Sequence, residues 1–302
     1  MPFTQINNQD LFFEDSGGTG QPLLFLHGFL FDQTMFDDQV KALIPDYRCI
    51  RVDTRGFGQT KWDGKAFNLY DVVSDCIELL NHLHIEKATF IGMSQGGYAS
   101  IRLAIKHPDR VKALVLMSTR KDIESEEFDR NYKGLRDDWV KNGATQLYIE
   151  NLMTLLIGNR EKFSSYWDLW QSRWEAVSGN QMYHTINALL ARTPVTAEQI
   201  KQIQVPVLSV HGVEDYGTPL ILADQLYNLF PNGKGKVRIA GAAHSVNMTH
   251  AQEVNPPLRE FLDKYVSSQY SGASLRKVSS IAWLVVQTFR RFRTLLRGYI
   301  NM

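Results

Sequence analysis

The chain has 302 residues, of which 44% are hydrophobic and 22% are charged. This composition is ordinary for a globular protein and excludes disordered, collagen-like and multi-span membrane proteins. The net charge of +1 argues against a general nucleic-acid binder, and the length favours one large α/β domain with an insertion. The charge is unevenly spread, however, because residues 271–302 contain six basic and no acidic residues.

Short apolar runs alternate with amphipathic helical stretches along most of the chain. The clearest runs are Leu23–Leu26, Ile50–Val52, Ala88–Ile91, Ala113–Met117, Val207–Val210 and Lys236–Ala240. Each run is followed by a loop rich in Gly, Asp, His or Ser. The pattern predicts an α/β fold, a mostly parallel sheet with helices on both faces, and it places functional residues in loops beyond the carboxyl ends of the strands.

The two cysteines lie in different kinds of segment, Cys49 in a strand-like run and Cys76 in a helical pattern. The N-terminus has no basic segment followed by an apolar one, and no apolar stretch reaches about 20 residues. We therefore expect no disulfide framework and predict a cytoplasmic protein.

The alternation of strands and helices stops between residues 120 and 192. Several helical stretches lie there, including Glu126–Lys141, Thr145–Ile157 and Lys162–Glu175. We predict a helical cap, 120–192, inserted into an α/β core formed by residues 1–119 and 193–266. The many aromatic residues of the cap either line an apolar acyl pocket or pack the cap against the core.

The clearest chemical motif is Gly92-Met93-Ser94-Gln95-Gly96, which follows one apolar run and precedes the helical stretch Tyr98–Lys106. A serine held between a strand and a helix adopts a strained backbone, and glycines two residues away relieve the crowding. The free N–H groups of the helix N-terminus favour negative charge developing there. The motif predicts that Ser94 is a nucleophile.

A serine hydroxyl needs a base to take its proton and a further group to orient that base. Two later loops supply candidates. Asp215 lies in the loop after Val207–Val210, and His244 lies in the loop after Lys236–Ala240. We predict that Ser94, His244 and Asp215 form a catalytic triad.

Each partner of the serine has a rival nearby in the chain. Glu214 is the alternative acid, and Asp215 is preferred because its spacing to Pro219 suits a loop that closes onto the next helix. His250 is the alternative base. His244 is preferred because it directly follows a strand, whereas His250 is expected to start or cap the final helix.

A third group of residues, His27-Gly28-Phe29, follows the apolar run Leu23–Leu26. A tetrahedral intermediate needs about two N–H donors directed at its oxyanion. We predict that the backbone amides of Phe29 and Gln95 supply them, and that His27 has a structural role.

Other motifs are weaker and do not predict a cofactor or a metal ion. The segment Asp53–Thr60 contains Gly-x-Gly without the spacing of a dinucleotide site, and it is expected to shape the rim of the active site. The pair His82 and His84 has no neighbouring ligands and is interpreted as an exposed helix end.

Taken together, the motifs resemble those of the α/β-hydrolase fold superfamily from the first strands to about residue 266. The matching segments are His27–Phe29, Asp53–Thr60, Gly92–Gly97, Gly212–Pro219, and His244 with Asn255-Pro256 downstream. The order serine, aspartate, histidine is also that of this fold. The resemblance implies a cofactor-free acyl-transfer mechanism in which Ser94 attacks, His244 acts as base and then acid, and Asp215 holds the imidazolium.

Within the superfamily, the chain is similar to enol-lactone hydrolases, acyl-homoserine-lactone hydrolases, small carboxylesterases and perhydrolases. The first hypothesis is a serine hydrolase of carboxylic esters or lactones with an apolar acyl part. A second keeps the triad but cleaves C–C or amide bonds or makes peracids. A third is a non-hydrolytic small-molecule receptor built on the same fold.

The C-terminal segment suggests a separate function. A polar linker, 267–280, precedes a stretch, 281–302, in which apolar residues fall on one helical face and arginines on the other. Such a basic amphipathic helix either lies on an anionic membrane, here the inner membrane surface, or covers its apolar face by contact with protein. The protein contact is either docking on the more acidic remainder of the chain or self-association.

Overall fold

The computed structural model describes residues 2–121 and 125–267, and one compact unit ends at Val266. The predicted amphipathic helix, 281–302, lies outside the described residues, as does all of the predicted linker after Ser267. None of the helices in the described ranges is long and apolar enough to cross a membrane.

The structure is built on one sheet of eight strands, in the spatial order β1-β2-β4-β3-β5-β6-β7-β8. The strands are β1 (Phe3–Ile6), β2 (Gln9–Asp15), β3 (Gln21–Leu26), β4 (Tyr47–Val52), β5 (Ala88–Met93), β6 (Val111–Met117), β7 (Val207–Gly212) and β8 (Gly233–Ile239). The pairs β1–β2 and β2–β4 are antiparallel, and all others are parallel. The predicted, mostly parallel sheet is confirmed.

Helices cover both faces of this sheet. Those of the core are α1 (Asp37–Leu43), α2 (Leu69–His82), α3 (Gln95–Lys106), and, after the cap, α8 (Ala197–Lys201), α9 (Leu220–Tyr227), α10 (Val246–Thr249) and α11 (Ala251–Tyr265). Successive residues of β3 alternate between two hydrophobic clusters, with Phe25 in one and Leu24 in the other. Every residue of β5 and of β7 is buried, which explains why these strands appear as continuous apolar runs.

The first two strands were not among the predicted runs. They form a hairpin whose turn residues, Asn7 and Asn8, have φ values of 48° and 64°. Asparagine tolerates this left-handed conformation better than most residues. The hairpin was missed because β1 is short and mostly exposed, so it lacks a strong apolar signal.

Four helices lie between residues 125 and 190, where three were named from the sequence. They are α4 (Glu126–Asn142), α5 (Gln146–Leu156), α6 (Ser164–Glu175) and α7 (Gly179–Leu190). The unpredicted helix α7 is capped by Ser178, whose hydroxyl accepts a hydrogen bond from the amide of Gln181. The four helices are consecutive in the chain and lie within the range 120–192 that was predicted to form the cap.

Several cap aromatics pack against the core. The rings of Trp170 and Trp174 meet the ring of Phe31 edge-on, at centroid distances of 4.8 and 5.7 Å. The indole Nε1 of Trp174 donates a hydrogen bond of 2.6 Å to the carbonyl oxygen of Leu30. Both tryptophans also line a cavity of about 390 Å³, whose lining includes Asp53 and Arg173, so its wall is partly polar.

The cysteines are both free and buried. Burial raises the pKa of the Cys49 thiol to about 12 and raises that of Cys76 as well. Neither thiol is therefore activated as a nucleophile, because the reactive form is the thiolate.

Candidate active site

Ser94 lies at the sharp turn between β5 and α3, with φ of 49° and ψ of −111°. This left-handed backbone is strained for a residue with a side chain. A Cβ at Gly92 would lie 2.5 Å from the carbonyl oxygen of Gly96, and a Cβ at Gly96 would lie 2.0 Å from that of Leu26. Only glycine therefore fits on either side of the serine, and the turn lifts Ser94 above the carboxyl edge of the sheet.

The loop after β3 packs directly against this turn. A Cβ at Gly28 would lie 3.5 Å from the Cβ of Ser94 and 2.6 Å from the sulfur of Met93. Phe29 and Gln95 directly follow Gly28 and Ser94, the two residues that meet at this contact. Within residues 2–121 and 125–267, neither amide donates to an intramolecular acceptor. Both are free to bind an external oxygen.

Asp215 and His244 meet beyond the ends of β7 and β8. Oδ2 of Asp215 lies 2.7 Å from Nδ1 of His244, and Oδ1 accepts a 2.7 Å hydrogen bond from the amide of Thr218. The aspartate is only 2% exposed. The hydroxyl of Ser118, just after β6, donates to the carbonyl oxygen of His244 at 2.6 Å and fixes the histidine loop.

His211 is a second imidazole beside the aspartate, and no role was predicted for it from the sequence. Its Nε2 lies 2.7 Å from the carbonyl oxygen of Thr218 and 3.3 Å from Oδ2 of Asp215. Because both neighbours accept hydrogen bonds, Nε2 carries the proton. Burial lowers the pKa of His211, despite the opposing effect of Asp215, so the ring stays neutral. The feature of the sequence that could have indicated His211 is its position at the end of a buried strand, one residue before Gly212.

The alternative acid and base, Glu214 and His250, take no part in the contact between Asp215 and His244. Glu214 is exposed, and its carboxylate accepts a hydrogen bond from the amide of Gly241 at 3.1 Å. His250 is the N-cap residue of α11, and its Nδ1 lies 2.9 Å from the hydroxyl of Thr249. The geometry thus favours Asp215 and His244 over both rivals.

His27 is buried and held at both ring nitrogens. Nε2 accepts a 3.0 Å hydrogen bond from the amide of Thr54, so Nδ1 is the donor to the carbonyl oxygen of Gly28 at 2.8 Å. The imidazole ties the loop after β3 to the loop after β4. This arrangement is that of a structural residue, as the sequence suggested.

The segment Asp53–Thr60 is likewise organised by its own side chains. The carboxylate of Asp53 accepts hydrogen bonds from the amides of Gln33 and Gln59, at 2.8 and 2.7 Å. Burial raises the pKa of this carboxyl group. Gly58, with φ of 55°, leaves no room for a Cβ beside Asp53. The segment fixes the conformation of the loops near the site and does not form a dinucleotide-binding turn.

The structure therefore brings the loops after β5, β7 and β8 to one edge of the sheet, with Ser94, Asp215 and His244 in them. Among the described residues, none accepts a hydrogen bond from the hydroxyl of Ser94. Hydrogen bonds in unliganded active sites are often long and tighten when substrate binds. The arrangement is suited to nucleophilic acyl transfer.

Comparison with known proteins gives consistent matches. The chain is 26% identical to the putative non-heme chloroperoxidase of Synechocystis sp., over 87% of this chain and 100% of that protein. A thermophilic esterase from Thermogutta terrifontis, solved with malate bound, has a TM-score of 0.79 at 25% identity and covers 87% of this chain and 97% of its own. The enol-lactonase of Burkholderia xenovorans has the same TM-score at 21% identity, with 87% and 100% coverage, and shows the shared fold.

A sequence model of one protein family extends over most of the sheet and the cap. The family is described as the alpha/beta hydrolase fold, and the match covers residues 21–251, from the start of β3 to the first residue of α11. The chain therefore belongs to the α/β-hydrolase fold family.

Proposed function

We propose that this protein is a serine hydrolase that cleaves carboxylic esters or lactones through an acyl-enzyme. The observation that carries the proposal is the buried 2.7 Å contact between Asp215 and His244, placed at the same sheet edge as the strained Ser94. The esterase and enol-lactonase among the structural relatives support cleavage of ester bonds.

In the proposed mechanism, Nε2 of His244 takes the proton of Ser94 as its Oγ attacks the substrate carbonyl carbon. The amides of Phe29 and Gln95 donate to the oxyanion that forms. Asp215 holds His244 in the tautomer with Nδ1 protonated and stabilises the imidazolium. His244 then protonates the leaving alkoxide, and a water molecule, deprotonated by the same histidine, hydrolyses the acyl-enzyme.

A second candidate uses the same acyl-enzyme with another acceptor. The peroxidase description of the Synechocystis relative favours it. If hydrogen peroxide replaces water in the second step, the acyl group leaves as a peracid and Ser94 is regenerated. This reaction is distinguished from hydrolysis by peracid formation when ester and peroxide are supplied together.

The test of the triad is covalent labelling by a fluorophosphonate, which reacts with an activated serine. We expect the wild-type protein to be labelled and Ser94→Ala not to be. The exposed Glu214 provides a matched control, since Glu214→Gln should be labelled at the wild-type rate. An unlabelled wild-type protein would overturn the proposal and favour a receptor without hydrolytic activity.

The substrate class is tested by turnover of p-nitrophenyl esters, simple lactones and acyl-homoserine lactones of graded chain length. Turnover that depends on Ser94 identifies the ester-bond class. Labelling without turnover of any of these substrates would instead favour C–C or amide bonds.

A further inference from the structure

Arg120 is a buried cation that the proposed mechanism does not use. It lies three residues after the end of β6 and is 9% exposed. Its guanidinium lies over the ring of Phe128, with 5.3 Å between Cζ and the ring centroid. Its Nε is buried and has no hydrogen-bond partner in the described part of the chain. Across residues 2–121 and 125–267, it forms no ion pair or other hydrogen bond.

This arrangement of Arg120 destabilises the protein when no ligand is bound. Arginine remains charged at all physiological pH values, and a buried charge is normally paired. The same phenyl ring also contacts a second guanidinium, that of Arg192, at 5.1 Å. An anion placed beside Arg120 would be attracted to its guanidinium.

The position of Arg120 relates it to the proposed active site. Thr119, its neighbour, packs on the first turn of α3, where a Cβ at Gly97 would lie 2.0 Å from the threonine Oγ1. This turn begins directly after Ser94. Arg120 therefore lies just beyond the same edge of the sheet as Ser94, the proposed nucleophile.

Tyr132 of α4 connects Arg120 to the remaining site residues. Burial raises the pKa of its hydroxyl to about 12, with Tyr98 and Asp215 adding to the rise and Arg192 and Arg120 opposing it. All four groups therefore lie within electrostatic reach of one phenol. The Tyr132 ring also packs against that of Phe29, at a centroid distance of 6.1 Å. Phe29 carries one of the two proposed oxyanion amides.

We propose that Arg120 binds a carboxylate on the acyl part of the substrate. The preferred substrates are then esters or lactones whose acyl chain ends in a second, ionised carboxyl group. This inference rests on the proposed function and narrows its substrate class. The guanidinium offers charge-assisted hydrogen bonds that a neutral alkyl chain cannot use.

The test compares neutral and anionic esters of equal acyl length. The pairs are the p-nitrophenyl esters of butyrate, pentanoate and hexanoate and the mono-p-nitrophenyl esters of succinate, glutarate and adipate. For at least one pair we expect the wild-type kcat/KM to be about 10- to 100-fold higher for the anionic ester. Arg120→Gln should abolish this preference mainly through KM, lowering kcat/KM far more for the anionic ester than for the neutral one. Arg120→Lys should retain part of it.

An exposed arginine of the cap provides the matched control. Arg160→Gln removes the same charge from the surface and should leave both rates unchanged. Arg120→Met tests folding, because removal of a buried charge that forms no ion pair among the described residues should keep or raise the melting temperature. Equal losses for both esters in Arg120→Gln, or no anionic preference in the wild type at any chain length, would overturn the inference while leaving the hydrolase proposal intact.

A binding measurement separates this inference from catalysis. Calorimetry with glutarate and adipate is done on Ser94→Ala, which cannot turn over substrate. We expect binding of at least one dicarboxylate, lost in the double variant Ser94→Ala/Arg120→Gln. Binding of neither by Ser94→Ala contradicts the assignment of Arg120, whatever the wild-type esterase activity.

Discussion

Nε2 of His211 lies 3.3 Å from Oδ2 of Asp215, the same carboxylate oxygen that contacts His244. The aspartate thus stands between two imidazoles of different character. His211 is neutral because it is buried, while His244 is the residue proposed to gain and lose a proton. The carboxylate is fixed from one side so that it can orient the ring on the other.

The first prediction concerns the carboxylate itself. Asp215→Asn should lower kcat by roughly 10³- to 10⁴-fold, because an amide nitrogen facing Nδ1 favours the wrong imidazole tautomer. Steady-state hydrolysis of a p-nitrophenyl ester measures the effect. Glu214→Gln is the control and should stay within about two-fold of the wild type. A comparable loss in Glu214→Gln would show that the acid was misassigned.

The second prediction concerns the stability of the fold at low pH. The pKa of His211 is lowered in the folded protein, whereas the unfolded chain binds the proton with a pKa near 6.5. As the pH falls below about 6.5, His211 binds a proton in the unfolded state but not in the folded state. The free energy of unfolding should therefore fall, by at most about 1.4 kcal/mol per pH unit for this group, until the folded pKa is passed.

Urea unfolding between pH 7.5 and 5 measures this dependence, and His211→Gln should make it shallower. Burial also lowers the pKa of His250, so His250→Gln is the parallel variant and should remove a separate part of the slope. An unchanged slope in His211→Gln would show that His211 is protonated in the folded protein.

The third prediction uses two glycines in contrasting surroundings. Gly134 is exposed within α4, and a Cβ there would meet no atom within 4 Å. Gly134→Ala should raise the free energy of unfolding by about 0.5 to 1 kcal/mol, because alanine loses less conformational entropy in a helix. Gly96→Ala should prevent stable folding, since its Cβ would overlap the carbonyl oxygen of Leu26. Chemical denaturation followed by circular dichroism compares the variants, and a destabilised Gly134→Ala would contradict the prediction.

The fourth prediction concerns the basic tail and rests on sequence alone. If its amphipathic pattern binds lipid, the full-length protein should sediment with anionic vesicles, and deletion of residues 275–302 should abolish sedimentation while esterase activity remains. Neutral vesicles are the control. A full-length protein that never sediments with anionic vesicles refutes the membrane alternative and leaves contact with protein.

The sequence predicted the elements whose signals are local. The serine turn, the strands β3 to β8 and three cap helices each carry their pattern within a short stretch of the chain. The proposed roles of Asp215 and His244 followed from their places after strands, and the structure sets them in contact.

What the sequence did not predict depends on contacts between distant segments. The burial of Arg120 requires Phe128 of the cap to lie over it, and the support of Asp215 by His211 requires the loop to fold back through Thr218. The tethering of His244 by Ser118 joins residues 126 positions apart. No periodicity or spacing in the sequence indicates such pairs, because neither residue of a pair belongs to a recognisable local motif.

The contacts of α6 with the loop after β3 have a mechanical consequence. Trp174 holds the carbonyl of Leu30, and Arg173 pairs with Asp32 at 2.6 Å, so this helix grips the loop that bears the amide of Phe29. Swinging α6 outward to admit substrate would pull the proposed oxyanion donor out of place. We therefore expect α6 to stay in place, and substrate and product to exchange by a route that does not move this helix.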